Sequence, residues 1–262
     1  MFLPTLIASR RRARHLATLS FPWLAATAAA QVVLDPVVIT GSVRAQSAAQ
    51  APYAISVIDQ DTLRSGGPMV NLSESMARVP GLVVANRNNY AQDLQISSRG
   101  FGTRSGFGVR GIRLYTDGIP ASMPDGQGQV GHFDLAGAQR VEVLRGPFSV
   151  LYGNSSGGVI ALVSAEPQEV RAEGEVDIGS FGLRQYRAGV AGPLGQGFSL
   201  RAGASVLEVE GFRPHSAAHR QAGNLRLGWL GDADRVIVIA NGLDQPADDP
   251  LGLDRKQFDA DP

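Results

Sequence analysis

Ile112-Arg113-Leu114-Tyr115, Val141-Glu142-Val143-Leu144 and Val159-Ile160-Ala161-Leu162-Val163 are three short runs rich in branched apolar residues, each set among glycines. Runs of this length bounded by turn formers read as strands. Working outward, Leu82-Val83-Val84, Leu94-Gln95-Ile96 and the alternating Ile55-Ser56-Val57-Ile58 read the same way, with a turn at Gly66-Gly67-Pro68. A helix-like stretch runs from Leu72 to Val79, where Asn71 or Ser73 can cap the start and Pro80-Gly81 ends it. Residues 50–165 therefore predict a small α+β domain with long loops.

After about Glu166 the pattern changes to long alternation without a helical period. Glu175-Val176-Asp177-Ile178-Gly179 and Gln185-Tyr186-Arg187-Ala188-Gly189-Val190 each put their apolar side chains on one face. Phe198, Leu200, Ala202, Ala204 and Val206 share one phase, Ser199, Arg201, Gly203 and Ser205 the other, and Leu225, Leu227 and Trp229 repeat the scheme. The phase slips at Val206-Leu207, and Val236 to Ala240 is apolar throughout. Strands of about ten residues joined by turns such as Gly192-Pro193-Leu194-Gly195 fit a transmembrane barrel, while a soluble β-sandwich gives similar alternation. About five such strands are present, whereas single-chain bacterial barrels need at least 8, so these cannot close.

The leading segment is of another kind. Arg10, Arg11, Arg12 and Arg14 precede an apolar run from Leu16 to Leu24 and the small residues Ala28-Ala29-Ala30, the layout of a secretory signal over 1–30 with cleavage after Ala30. The run is too short to cross a bilayer as a helix. Ser9-Arg10-Arg11 hints at a twin-arginine signal but lacks the apolar residues expected just after it. Without residues 1–30 the chain of 262 has 20 basic and 24 acidic residues, a charge near −4 that gives no reason to expect nucleic acid. The absence of cysteine excludes a disulfide framework, a cysteine zinc site and a thiol nucleophile. Residues 31–49 are a tether with one strand-forming peptide, Val37-Val38-Ile39-Thr40. Such a peptide either adds a strand to another protein's sheet or simply leads into the first domain.

Enzyme chemistry is matched in spelling only. Gly153-Asn154-Ser155-Ser156-Gly157 satisfies the nucleophile-elbow pattern, but a strand follows it where a helix is needed, and His215 or His219 would have to complete a triad from a loop. Gly126-Gln127-Gly128-Gln129-Val130-Gly131 spells the dinucleotide fingerprint yet follows turn chemistry and precedes no helix. A serine hydrolase stays a remote alternative. No catalytic residue, metal site or cofactor is expected.

Five pieces in order decide among these readings: Val79-Pro80-Gly81-Leu82; Ile96-Ser97-Ser98-Arg99-Gly100-Phe101; Leu114-Tyr115-Thr116-Asp117-Gly118-Ile119-Pro120; Val141-Glu142-Val143-Leu144-Arg145-Gly146-Pro147; and Leu151-Tyr152-Gly153 through Gly157-Gly158-Val159-Ile160. This series resembles the plug of TonB-dependent outer-membrane receptors. Together with Met123-Pro124-Asp125-Gly126-Gln127-Gly128 and Asp249-Pro250-Leu251-Gly252-Leu253 it is most similar to the ferric citrate and siderophore group. The resemblance implies a signal peptide at 1–30, a TonB box and linker at 31–49, a plug at 50–165 and, at 166–262, the first antiparallel strands of a truncated transmembrane β-barrel. It implies that Asp35, Pro36, Val37, Val38, Ile39 and Thr40 pair as a strand with TonB in the periplasm. Arg99 and Arg145 match plug arginines that latch onto barrel glutamates. Ligand contact falls to the apical loops, with Arg87, Tyr90, Arg104, Ser122, Gln127 and Gln129 as candidates, arginine suiting an anionic ferric chelate. The location implied is the outer membrane with its lipid, or the periplasm if only the plug folds. At this length the chain reads as a fragment unable to transport alone, and the alternative is a soluble periplasmic plug-like binding protein.

Overall fold

The computed structural model describes residues 37–38, 46–47, 54–85, 89–106, 108–146, 148–153 and 156–260. The export signal, Asp35, Pro36, Ile39, Thr40, Arg87 and Ser155 lie outside them. The described residues all fall in one compact unit, Asp35–Pro262.

Strand β1 (Val37–Val38) pairs antiparallel with β2 (Gln46–Ser47). There follow β3 (Ala54–Asp59), α1 (Gln60–Gly66), α2 (Ser73–Met76), β4 (Leu82–Ala85), β5 (Gln95–Ser98), β6 (Val109–Arg110), β7 (Ile112–Thr116), β8 (Ile119–Pro120), β9 (Gln127–Gly128), β10 (Ala138–Arg145), α3 (Ser149–Tyr152) and β11 (Gly158–Ser164). One mixed sheet runs in the order β3-β10-β11-β7-β8. Only its β11–β7 pairing is parallel. The ribbons β4–β5 and β6–β9 lie outside it.

Alternation along the two central strands makes both faces of that sheet apolar. Val141, Val143, Ile160 and Leu162 point to one side, where they pack with Ile58, Leu63, Leu72, Met76, Ile96 and Leu114 in the main core. Leu144 and Val159 point to the other and meet Phe148, Ile55, Tyr115 and Tyr152. Full burial of each such aliphatic side chain contributes about 1.5–3 kcal/mol, so β10 and β11 are the centre of the domain's stability.

The helices differ from the sequence reading. Asp59 caps α1, accepting the Thr62 N–H at 2.8 Å, and this helix was hidden in a polar stretch. The helix expected over 72–79 is the single turn α2, and neither Asn71 nor Ser73 caps it. Instead the Glu74 carboxylate turns back to accept the N–H groups of Met69, Val70 and Asn71 at 2.7, 3.1 and 2.9 Å. One side chain thereby satisfies three amides of the loop that leads into the helix.

Strands β12 (Arg171–Ile178), β13 (Arg184–Gly195), β14 (Phe198–Val209), β15 (Ala218–Leu230) and β16 (Arg235–Asp244) form a second sheet, an antiparallel meander in sequence order. It is followed by α4 (Arg255–Ala260). One face carries Val176, Ile178, Tyr186, Val190, Phe198, Leu225, Leu227, Val236 and Val238, all exposed. The other carries Glu175, Asp177, Gln185, Arg187, Ser199, Arg201, Arg220 and Arg226 and looks toward the α+β domain. The phase slip at Val206-Leu207 has its cause here: Leu207 points inward and is 1% exposed beneath the domain. The turn expected at Gly192–Gly195 is corrected, because those residues continue β13 and the chain reverses around Gln196 and Gly197, both at positive φ. A Cβ at Gly197 would stand 2.2 Å from the Leu230 carbonyl oxygen, so the tight turn requires glycine.

Candidate functional site

The two arginines singled out in sequence come together at one end of the mixed sheet. Arg99 follows β5 in a left-handed conformation with φ 48°, its N–H donating to the Gly81 carbonyl at 2.9 Å. Arg145 ends β10, where its guanidinium donates to the Pro80 carbonyl and, at 3.1 Å, to Ser56 Oγ. Burial, then the neighbouring Arg99 charge, push the Arg145 pKa down. Neither arginine has a carboxylate partner among the described residues, and Arg145 Nε is buried without an acceptor. Two adjacent guanidinium groups with an unmet donor form an electropositive point that lacks its counter-charge.

The apical candidates are spread over three loops. Ser122 Oγ accepts the Leu114 N–H at 3.0 Å, and Gln127 Oε1 accepts Arg110 Nη2 at 2.8 Å. Arg110 also lies 3.8 Å from Asp125, so Ser122 and Gln127 belong to one internally bonded loop closed by β6–β9. Gln129 Nε2 donates to Asp93 Oδ2 at 2.8 Å and ties that loop to residues 89–93. Arg104 is exposed on the turn after Gly102. Tyr90 is half-buried, its phenol pushed up by burial and then by Glu74, while its carbonyl accepts Gln245 Nε2 at 2.6 Å. The polar atoms of Ser122, Gln127 and Gln129 thus bond within and between the loops, with Gln129 and Arg104 both exposed.

A surface that sequence reasoning missed lies between the α+β domain and the second sheet. Arg187 on β13 donates to the Pro68 carbonyl at 3.1 Å and pairs with Glu175 at 2.9 Å. Arg201 on β14 donates to the Ala136 carbonyl at 2.9 Å and lies 3.8 Å from Asp134. Arg220 on β15 donates to the Gly131 carbonyl at 2.7 Å. Between them remains a polar cavity of about 480 Å³, lined by these arginines with Gln185, Ser205 and Asn224. Beyond β16 the chain crosses back over the domain, and Asp249 accepts Asn89 Nδ2 and Gln92 Nε2 at 2.7 and 2.9 Å. The signal available in sequence was the recurrence of arginine in the polar phase of successive strands.

The enzyme-like spellings find other settings. The elbow pattern lies between α3 and β11, the reverse of strand, turn and helix. Gln127–Gly128 of the fingerprint is strand β9, not a helix start. Among the described residues no cluster of three or more His, Cys, Asp or Glu could hold a metal.

With that geometry established, comparison with known proteins is informative. Residues 47–159 match the TonB-dependent Receptor Plug Domain. A hemin receptor of Yersinia enterocolitica is 28% identical over 216 residues, 80% of this chain and 29% of that one. A pesticin receptor of Yersinia pestis is 31% identical over 187 residues, 70% and 26% of the two chains. The ferric enterobactin receptor PirA of Pseudomonas aeruginosa is 27% identical over 202 residues, 68% and 26%. Among solved structures, the pyoverdine receptor FpvA of P. aeruginosa PAO1 superposes with a TM-score of 0.64 at 24% identity, covering 80% of this chain and 30% of that one. Unliganded ferric citrate transporter FecA gives 0.63 at 24%, covering 80% and 33%. The chain spans less than a third of the length of the curated relatives cited.

Proposed function

We propose, from the match of residues 47–159 to the TonB-dependent Receptor Plug Domain, that the chain is the front part of an outer-membrane receptor for uptake of a ferric chelate. Residues 50–165 serve as the plug, 31–49 as the energy-coupling segment and 166–262 as the first membrane strands, reached after export by the signal at 1–30. The observation that carries this reading is the polarity of the second sheet, whose exposed face is apolar and whose plug-facing side is charged. Exposed Val190, Leu225, Leu227, Val236 and Val238 suit lipid tails, and Tyr186, Phe198 and Trp229 on the same face suit the interfacial girdle of such barrels. A soluble plug-like protein would leave that contiguous apolar face in water, which monomeric soluble proteins rarely do.

The remaining roles follow from the same frame. The Asp35–Thr40 segment pairs as a strand with TonB, since a β-branched peptide supplies a backbone ladder to a sheet edge. Pull on that strand rearranges the plug and lets the ligand pass, a shift between two states biased by the partner. Arg99 and Arg145 await glutamates on later barrel strands, which would supply the missing counter-charge. The ligand is an iron chelate with anionic groups facing Arg104. Relatives named for hemin, enterobactin, pyoverdine and citrate support an iron chelate as the class of ligand.

The test is capture of the chain by the immobilised periplasmic domain of TonB. The wild-type chain is expected to be retained, and Val38→Pro, which removes a ladder donor, to be lost. Equal retention of the two would remove the coupling role, and failure of the wild-type chain to bind would remove TonB as partner.

A further inference from the structure

Where the plug meets the strand wall, one cluster is built differently from the other contacts. Asp117 and Gly118 form the two-residue turn of the β7–β8 hairpin with φ of 50° and 85°, the twin positive values of a primed turn. That turn is fixed to the end of β11: Asp117 N–H donates to the Leu162 carbonyl at 2.9 Å, and Asp117 Oδ1 accepts the Ser164 N–H at 2.8 Å. The second carboxylate oxygen is thereby aimed out of the plug, at Arg226 Nε on β15, 3.3 Å away. Arg226 Nη2 in turn donates at 2.7 Å to Glu166, the second residue after β11. Glu166 also accepts Ser199 Oγ of β14 at 2.7 Å and Arg235 Nη2 of β16 at 3.4 Å.

Of the ion pairs between plug and wall among the described residues, Arg226–Asp117 is the most buried, while Glu166 at the cluster's edge is half-exposed. The side chains of Arg226 and Asp117 are 5% and 2% exposed, whereas the pair Arg64–Glu173, also between plug and wall, is 40% and 39% exposed. Exposed pairs contribute little, while removing one partner of a buried pair leaves an uncompensated charge. The backbone opposite is shaped to admit the cluster: a Cβ at Gly228 would stand 2.7 Å from Ser199 Oγ and 3.2 Å from Arg226 Nη1.

We infer that Asp117, Glu166 and Arg226 form a docking anchor that seats the plug on the strand wall, separate from the Arg99 and Arg145 pair and complete within strands β14 to β16. The inference rests on reading residues 50–165 as a plug and the second sheet as its wall. Asp117 fixes the orientation, because its carboxylate is clamped to the plug's own backbone before it reaches the wall. Glu166 spreads the load over three strands. Arg226 joins the two carboxylates, so loss of the arginine leaves the buried Asp117 without its counter-charge, while half-exposed Glu166 keeps Ser199 and Arg235.

The chain has no cysteine, so an introduced thiol reports its own site alone. Ala222→Cys places one on the wall in the interface cavity, and Val143→Cys places one in the plug core. The full chain, refolded in detergent micelles, is labelled with a bulky charged maleimide. With Ala222→Cys, Arg226→Gln and Asp117→Asn are each expected to raise the labelling rate about tenfold or more, with the double variant no faster than the faster single one. Gly228→Val, which leaves every charge in place and crowds the cluster, is expected to raise it as well. Val143→Cys is expected to stay unlabelled in all of them. Rates at Ala222→Cys within twofold of the parent in all variants would overturn the anchor. So would equal exposure of Val143→Cys, since these residues would then be holding the plug's own fold together. Loss of TonB capture with the labelling pattern intact would defeat the receptor reading and leave the anchor standing.

Discussion

Residues 54–164 and residues 171–244 use the same alternation of apolar and polar side chains with opposite sense. In the plug the apolar phase of β10 and β11 points inward on both faces, and Val141, Val143, Leu144, Ile160 and Leu162 are all shielded. In the second sheet the apolar phase points away from the protein, and the polar phase faces the plug through Arg187, Arg201, Arg220 and Arg226. Hydrophobicity does not mean inside; it means away from water, and the comparison singles out the face that the proposed reading gives to lipid.

The comparison breaks most sharply under a charge. Leu114→Arg, at a site with 0% exposure, is expected to abolish cooperative unfolding of the plug in a urea titration, since an unpaired buried charge costs more than a small domain's margin. Val238→Arg, at a site 56% exposed, is expected to leave that titration unchanged and to weaken partition into lipid vesicles by about 2–4 kcal/mol. If Val238→Arg partitions like the parent, lipid does not cover this face. A milder contrast concerns carboxylates. Glu74→Ala, which frees three plug amides, is expected to cost about 1–3 kcal/mol in the same titration. Glu173→Ala, in the exposed pair with Arg64, is expected to change it by about 0.5 kcal/mol or less.

The smallest effect is a pH dependence of docking. Burial pushes the Glu166 carboxyl up, but the hydrogen bonds from Arg226 and Ser199 outweigh it and hold the group below its ordinary 4.5. A depressed carboxyl stabilises the docked state fully above that ordinary value, and the contribution is lost as pH falls through the lower folded value. Labelling of Ala222→Cys with an iodoacetamide spin label, corrected for the thiol's own titration, is therefore expected to stay flat from pH 7 to about 5 and to rise below about 4. Glu166→Gln is expected to flatten that rise, and an unchanged rise would assign the effect to another group.

The strands were legible because each is a run of branched apolar residues between glycines, and β7, β10 and β11 fall where Ile112, Val141 and Val159 start their runs. The helices were less so. Helix α1 hides in Gln60-Asp61-Thr62-Leu63, which buries only Leu63 and so shows no apolar period. Helix α2 is shorter than its pattern because the backbone tightens after Ala77, where the Val79 N–H donates to the Met76 carbonyl three residues back at 3.0 Å. The Gly192-Pro193 turn was misplaced because Pro193 sits in the strand beside the register shift with β14, where a missing donor is tolerated. Of the candidate sites, Arg99 and Arg145 were placed by motif and do meet in space. Ser122, Gln127 and Gln129 turn their polar atoms into the loops, which composition cannot reveal. Asp117 was quoted within a motif, yet its contact with Arg226 spans 109 positions, beyond any local pattern.

The strand order of the plug also governs when the domain can exist. Strand β3 finds its partner only in β10, across Ala54 to Arg145, and β7 finds a parallel partner only in β11, across Ile112 to Gly158. These two pairings are remote, so loop closure must be met before their contacts reward it, whereas β4–β5, β7–β8 and β10–β11 close locally. A nascent chain that ends before Gly158 can form neither the β10–β11 nor the β11–β7 ladder. The topology thus delays completion of the mixed sheet until nearly the whole of residues 54–164 has been synthesised.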